Sequence, residues 1–327
     1  MFVIPLKKYR KTGYNLKRYA TRWVEQYLFF PNILQRAISI SLFPLTIAYC
    51  LYSAYKRILA KPKGYDIPVI SIGNLVIGGT GKTPVSIALA KDRKKVAIIL
   101  RGYGREFKGL FVVSDNGKIK GNISNSGDEA ILLANSLPKA TIIVSENRVD
   151  GIKKAKELGA KLIILDDGYN QHHIAKVNIL IRPKIDPTNV FCLPSGGYRD
   201  TPMVYAFTDI VLRDGTDFQR EVSFKQNNKK LDTLPKNVIL LTAISKPDRL
   251  FEFLPKDIKM ISYPDHYNYT QKDIDTIIKK YPEHTILTTG KDMVKLIEFN
   301  IKNIILIDLD ISIDNKIIKK IEEYIKY

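Results

Sequence analysis

The chain has 327 residues, 45% of them hydrophobic, more than one compact core usually takes up at about 250–300 residues, which excludes disorder as a whole-chain state and points to two domains. Two cysteines, Cys50 and Cys192, and four histidines exclude a disulfide framework, argue against a structural zinc site and point to a reducing compartment. A net charge of +19 leaves three partner classes open: nucleic acid, an anionic membrane or an anionic substrate.

The charge is unevenly placed. Residues 1–61 hold eleven Lys and Arg against one acid, Glu25, and this block contains a nineteen-residue stretch without a charge, 37–55, between Arg36 and Lys56-Arg57. Nineteen residues sit at the lower edge of membrane-spanning length. Pro44 and several Ser, Thr and Tyr residues suit a shallow interfacial helix as well as a span, and a buried core helix is the third reading. A cleaved signal peptide fits poorly, because the stretch starts late and no small-x-small site follows it. Basic flanks favour anionic headgroups at roughly 1 kcal/mol per residue near the surface. With the charge beside an apolar run and no aromatic–basic recognition motif, nucleic acid is not expected as a partner.

After the breaker-rich linker 61–64, apolar runs of strand length alternate with helical spacing. Strands are predicted at 67–73, 95–100, 141–145 and 162–167, with helices at 82–91, 128–137 and 147–159. That alternation marks a parallel sheet covered on both faces, an α/β domain. A second series follows, with strands at 177–182, 204–213, 237–245, 258–263 and 285–289 and helices at 248–254 and 271–281. The chain closes on a strand near 304–309 and a charged amphipathic helix, 315–327. The expected division is 1–61, membrane-associated; 62–175, a P-loop core joined by the final helix 312–327; and 176–311, a smaller second α/β domain.

Between the first strand and first helix of the core lies Gly78-Gly79-Thr80-Gly81-Lys82-Thr83, ending like a Walker A loop. Glycines let backbone N–H groups approach phosphate, Lys82 reaches the β- and γ-phosphates, and Thr83 can ligate Mg²⁺. Strict spacing would need glycine at Val76, so this is a loop variant, and Pro84 is tolerated in the first helical turn. The matching Walker B acid is expected where an apolar strand ends, at Asp166-Asp167.

GTPase signatures fail. Ser245-Lys246-Pro247-Asp248 and Gly290-Lys291-Asp292 imitate the guanine motif without its first residue and spacing together, and Asp166-Asp167-Gly168 brings glycine one place too early for a switch. A kinase needs a group to accept or orient the acceptor's proton. Asp128, opening a helix after Ser126-Gly127, is one candidate, although helix capping would also place an Asp there. Asp265-His266 in a Pro-turned loop is another, while His172-His173 read as ordinary loop residues. The rival from another class is a noncatalytic membrane-bound nucleotide switch or assembly factor.

Together these segments resemble the tetraacyldisaccharide 4'-kinase (lipid A 4'-kinase) family over nearly the whole chain. The resemblance rests on P-V-I-S-I-G-N-L-V-I-G-G-T-G-K-T-P at 68–84, R-G-Y-G-R at 101–105, G-D-E at 127–129 and S-E-N-R at 145–148. It continues in D-D-G at 166–168, L-P-S-G-G-Y-R-D at 193–200, P-D-H-Y at 264–267 and T-G-K-D-M-V-K at 289–295. It implies ATP-dependent phosphorylation of the 4'-hydroxyl of a lipid A disaccharide precursor at the cytoplasmic face of the inner membrane, with peripheral or single-pass attachment and no obligate protein partner. Asp128 and His266 then form a catalytic dyad, Lys82 is catalytic beside them through its hold on phosphate, and residues 78–83 bind nucleotide. Metal contacts fall to Thr83, Asp166, Asp167 and Glu129, and Asn74, Arg101, Arg148, Arg199 and Asp200 contact the anionic glycolipid or phosphate. Two departures stand out: D-D-G-F/L-Q-H becomes D-D-G-Y-N-Q-H, with Asn170 as an insertion, and P-A-G-x-L-R-E ends in Asp200. The family also implies a hinge near 174–177 whose closure assembles the dyad.

Overall fold

The computed structural model describes residues 15–326; Lys7, Lys8, Arg10 and Lys11 of the basic block, and Tyr327, lie outside the described residues. The chain forms two compact units, one of the residues through Ile58 with Ile185–Val204, the other of Leu59–Lys184 with the residues from Tyr205 on.

The larger unit holds two sheets. In the first, the strands Thr141–Val144, Val96–Leu100, Leu162–Asp166, Val69–Asn74, Val177–Arg182 and Ile210–Arg213 lie side by side and parallel in that order, and Phe111–Asp115 adds antiparallel at one edge with the short Lys118–Ile119. Its central strands read as unbroken apolar runs because both faces are covered. Successive side chains divide between the faces with period two. Ile70, Ile72, Ile98, Ile142 and Ile164 pack on one side with Val85, Leu89 and Leu133 of the helices Lys82–Ala90 and Asp128–Ser136. Val69, Ala97, Ile99, Ile143 and Ile163 pack on the other with Ile152 and Ala155 of the helix Arg148–Glu157.

The final helix, Asn315–Lys326, returns to the first of these faces. Ile317, Ile318, Ile321 and Ile325 follow helical spacing and join that core. Tyr324 Oη donates to Val69 O at 3.3 Å, on the strand that leads into the phosphate loop, and Glu322 pairs with Arg93 at 2.5 Å.

The second sheet runs Lys259–Ser262, Val238–Thr242, Thr285–Thr289 and Ile304–Ile313 in parallel, then Phe218–Gln226 and Lys229–Leu231 antiparallel. The sequence reading differs here in four ways. Val177–Arg182 and Ile210–Arg213, expected to open the second series, extend the first sheet. The strand expected over 204–213 begins as a 3-10 turn, Pro202–Ala206, and the helix expected over 248–254 is the 3-10 turn Pro247–Glu252. Phe218–Gln226 was not predicted, because Arg220 interrupts its alternation of Phe218, Val222 and Phe224.

In the smaller unit the helix Asn15–Phe29 precedes two more, Ile33–Ser41 and Phe43–Ile58, where one helix over 37–55 was expected. They are bent by 59° at Leu42. Pro44 explains the break: it has no N–H for the Ile40 carbonyl, and its ring crowds that carbonyl. Asn32 and Gln35 form a capping box at the start of the second helix. Residues 185–204 are tied to these helices by Ser39 Oγ to Ser195 O at 2.6 Å, Thr46 Oγ1 to Ser195 Oγ at 2.7 Å and Tyr27 Oη to Pro194 O at 2.8 Å.

Candidate active site

The strand Val69–Asn74 ends at the carboxyl edge of the first sheet, where α/β folds bind ligands. Its chain then turns through residues 75–81 into the helix Lys82–Ala90, whose cap, Gly81, is left-handed at φ 94°. Asn74 is buried and accepts from Lys82 Nζ at 3.3 Å, while its Nδ2 donates to Val76 O inside the loop. Lys82 Nζ also lies 3.6 Å from Asp167 Oδ1. The adjacent strand delivers Asp166, whose Oδ2 accepts from Thr83 Oγ1 at 2.9 Å. Strand, loop and aspartate pair thus meet as the spacing implied.

Burial pushes the Asp166 carboxyl up to about 7, the Glu129 charge adding to the effect and Lys82 opposing it. Its Oδ1 has no hydrogen-bond partner among the described residues. Hard oxygen donors of this kind fit Mg²⁺. Among the described residues no cluster of three or more carboxylate, imidazole or thiol groups could hold a cation alone, which matches a Mg²⁺ held by one or two carboxylates with water and phosphate oxygens as its other ligands. Asp167 sits at φ 53°, a left-handed conformation that is costly for a side-chain-bearing residue and that concentrates at functional sites.

Asp128 opens the helix Asp128–Ser136, which packs beside Lys82–Ala90. Gly127 makes that entry possible, because its φ of 85° and the Tyr103 carbonyl, 2.9 Å from where a Cβ would stand, both exclude a side chain. Asp128 is 3% exposed, and both of its oxygens lie 3.1 Å from His266 Nδ1, a residue 138 positions away in sequence. The two residues expected to form a dyad therefore lie together in this structure. His266 is itself left-handed, at φ 60°, and its ring lies 5.2 Å from that of Tyr103.

Two lysines that the sequence reading gave no role complete the cluster. Lys295, 3% exposed, places Nζ 2.9 Å from Asp128 Oδ2 and donates to Tyr267 O at 3.2 Å. Lys291 Nζ lies 3.0 Å from Asp265 Oδ1, 3.2 Å from His266 Nε2 and 3.8 Å from Glu129 Oε1. Their four-residue spacing puts both on one face of the helix Gly290–Leu296, a signal that was available in the sequence. Burial works against the Asp128 charge, but the His266 hydrogen bond and the two ammonium groups outweigh it and hold the carboxyl well below the usual range. The Asp128 hydrogen bond in turn raises His266, against the opposing effect of burial.

The weaker substrate candidates divide between the units. Arg148, at the start of its helix, is buried and donates to Ser145 O; burial lowers it to about 10, with Asp166, Asp167 and Arg101 as its charged neighbours. Arg199 and Asp200 belong to the smaller unit, where Asp200 pairs with Arg57 and the Arg199 carbonyl accepts from Tyr49 Oη at 2.9 Å.

Comparison with known proteins gives a consistent answer. The family model described as tetraacyldisaccharide-1-P 4'-kinase matches residues 38–326. The chain is 56% identical over 295 residues to the tetraacyldisaccharide 4'-kinase of Aliarcobacter butzleri, across 90% of this chain and 94% of that protein. It is 40% identical over 304 residues to the enzyme of the same name from Helicobacter acinonychis, across 93% and 95%. A crystal structure of the "apo" form of LpxK from Aquifex aeolicus in complex with ATP aligns with a TM-score of 0.72 at 26% identity, covering 88% of this chain and 99% of that one.

Proposed function

This chain belongs to the tetraacyldisaccharide-1-P 4'-kinase family, and from that membership and the geometry of its site we propose that residues 78–83 hold the terminal phosphates of ATP while Asp128 and His266 attend the acceptor hydroxyl. The reaction is phosphorylation of the 4'-hydroxyl of a tetraacyldisaccharide 1-phosphate by ATP, giving lipid IVA and ADP. The observation that supports this reading best is the meeting of Asp128 and His266 at 3.1 Å, on a helix packed beside the one that Lys82 opens.

Phosphoryl transfer asks a protein mainly for position and charge. The loop amides of Gly78, Gly79, Thr80 and Gly81 and the Lys82 ammonium orient the γ-phosphoryl group and offset its charge. Thr83 and Asp166, with Asp167 and Glu129 nearby, are the residues that would hold Mg²⁺, which when bound neutralises charge across the β- and γ-phosphates. Asp128 stays ionised between Lys295 and His266. So held, it is a weak base, and its role is to orient the hydroxyl and to take the proton late, when the forming P–O bond has made it acidic. His266, oriented through Nδ1, steadies that carboxylate. Arg101 and Arg148 suit the phosphates of substrate or nucleotide, and Asn74 sets the direction of Lys82.

The enzyme works at a membrane surface. No single described helix is long and apolar enough to cross a bilayer, whereas the bent pair Ile33–Ser41 and Phe43–Ile58 passes that test jointly. Ile33, Leu34, Ile40, Leu45 and Leu51 are exposed on it, with exposed Arg36 among them and exposed Lys56 just beyond, while the half-buried Arg57 pairs with Asp200. Such a pair lies in the interface of an anionic inner membrane, where an acylated substrate resides.

The decisive assay supplies γ-labelled ATP and a tetraacyldisaccharide 1-phosphate to the purified protein and locates the label. Label on the distal sugar is expected. Asp128→Asn is expected to lower turnover by about 10²–10⁴-fold with nucleotide binding retained. ATP consumption that does not depend on the acceptor would instead favour a nucleotide switch.

A further inference from the structure

The sequence reading left Ser245-Lys246-Pro247-Asp248 without a role, and the structure lays it against the phosphate loop. Arg249, the next residue, donates from Nη1 to Gly79 O. Lys246 Cε and Nζ lie 3.1 and 3.4 Å from where a Cβ on Gly78 would stand. From the strand Phe218–Gln226, Arg220 Nη2 donates to Thr80 O at 3.0 Å, while its Nε is gripped by the two Asp214 oxygens at 3.1 and 3.0 Å. Both members of this ion pair are only 20% exposed. The approach depends on Gly81: a Cβ there would come within 2.8 Å of the guanidinium.

In a planar trans peptide the C=O and the following N–H point in opposite directions. A guanidinium on the Thr80 carbonyl therefore turns the Gly81 N–H to the far side, and one on the Gly79 carbonyl does the same for the Thr80 N–H. Phosphate is bound by such N–H groups. We infer that Arg220, oriented by Asp214 and joined by Arg249, is a positioning residue that sets the amide directions of the phosphate loop from its carbonyl side and is not itself a phosphate ligand. The inference rests on the reading of residues 78–83 as a nucleotide phosphate loop. It also ties two parts of the site together, since Arg220 and Arg249 belong to the layer of the second sheet, as does His266. Seating that layer on the first orders the loop and completes the dyad at once.

The test titrates the full chain with a fluorescent ADP and a fluorescent ATP analogue, without acceptor. Arg220→Ala is expected to weaken both by about tenfold, the loss of one charge-assisted hydrogen bond, and in turnover assays to raise KM for ATP far more than KM for the glycolipid. Arg220→Lys should not rescue, because an ammonium lacks the fork that spans carboxylate and carbonyl. Asp214→Asn, which keeps the guanidinium but loosens its hold, should weaken both analogues in the same ratio by a smaller factor. A loss confined to the ATP analogue makes Arg220 a γ-phosphate ligand and overturns the inference, as does unchanged affinity or full rescue by Lys. If Arg220→Ala does not fold by circular dichroism, Asp214→Asn and Arg220→Lys decide by the same criteria. A chain that binds both nucleotides yet phosphorylates no glycolipid rejects the proposed function and leaves this test intact.

Discussion

Lys295 is the residue whose removal tells most about the site. Its ammonium and the Asp128 carboxylate are both almost wholly buried, so Lys295→Met strands a charge and is expected to cost about 3–5 kcal/mol in chemical denaturation. Pairing it with Asp128→Asn should recover part of that loss, and a double-mutant cycle measures the coupling; strict additivity would mean that the two groups do not interact. The pH dependence follows from the same contacts. His266 is raised above 6.5, so the stability its hydrogen bond adds is fully present below that value and fades as pH rises through its folded-state pKa. Asp128 is depressed below 3.8, so its share is present above that value and is lost as pH falls through its own folded pKa. The pair is thus most stabilising between the two limits, and NMR titration of His266 should show a pKa above 6.5 that drops in Asp128→Asn. Asp128 and His266 were legible because each sits in a compact motif, and a base needs a carboxylate or an imidazole. For Lys295 the sequence offered only its spacing from Lys291, since a lysine in a charged helix reads as solvated until the packing of Gly290–Leu296 on Asp128–Ser136 closes over it.

Among the elements, the central parallel strands of the first sheet were legible within a residue or two, because strands buried on both faces are unbroken apolar runs, whereas the bounds of Ile210–Arg213, Val238–Thr242 and Ile304–Ile313 were missed by three to six residues. The polar strand Phe218–Gln226 was hidden because Arg220 occupies a position on its inward alternation, and that same arginine reaches the phosphate loop. Sheet membership was not legible either: nothing local in 177–182 says which edge it joins, and its register against Val69–Asn74 is decided by pairing across the sheet. For the bent helices, an interfacial seat and a span make opposite demands. Leu34→Glu with Leu51→Glu is expected to reduce flotation with anionic vesicles by an order of magnitude or more, while binding of a soluble nucleotide analogue stays unchanged, each apolar side chain being worth about 1.5–3 kcal/mol when buried. Retained flotation would move the membrane contact elsewhere on the chain.

In the molecule as a whole, a sheet of eight strands and one of six share a single unit, and the chain's last described helix completes the core of the first. Ile321 is 1% exposed there, so Ile321→Ala is expected to cost about 2–5 kcal/mol by chemical denaturation although it lies far in sequence from every site residue. A chain ending at Asp314 should lose nucleotide binding and become sensitive to limited proteolysis. The order of synthesis gives this arrangement a further meaning. The ribosome makes the phosphate loop early, whereas the part of its sheet's face which the helix Asn315–Lys326 covers gains its cover only after the strands of both sheets have been made. A polypeptide halted before that helix is expected to leave those positions open to proteases, and pulse-chase of a chain cut after Asp314 should show faster turnover than of the full chain.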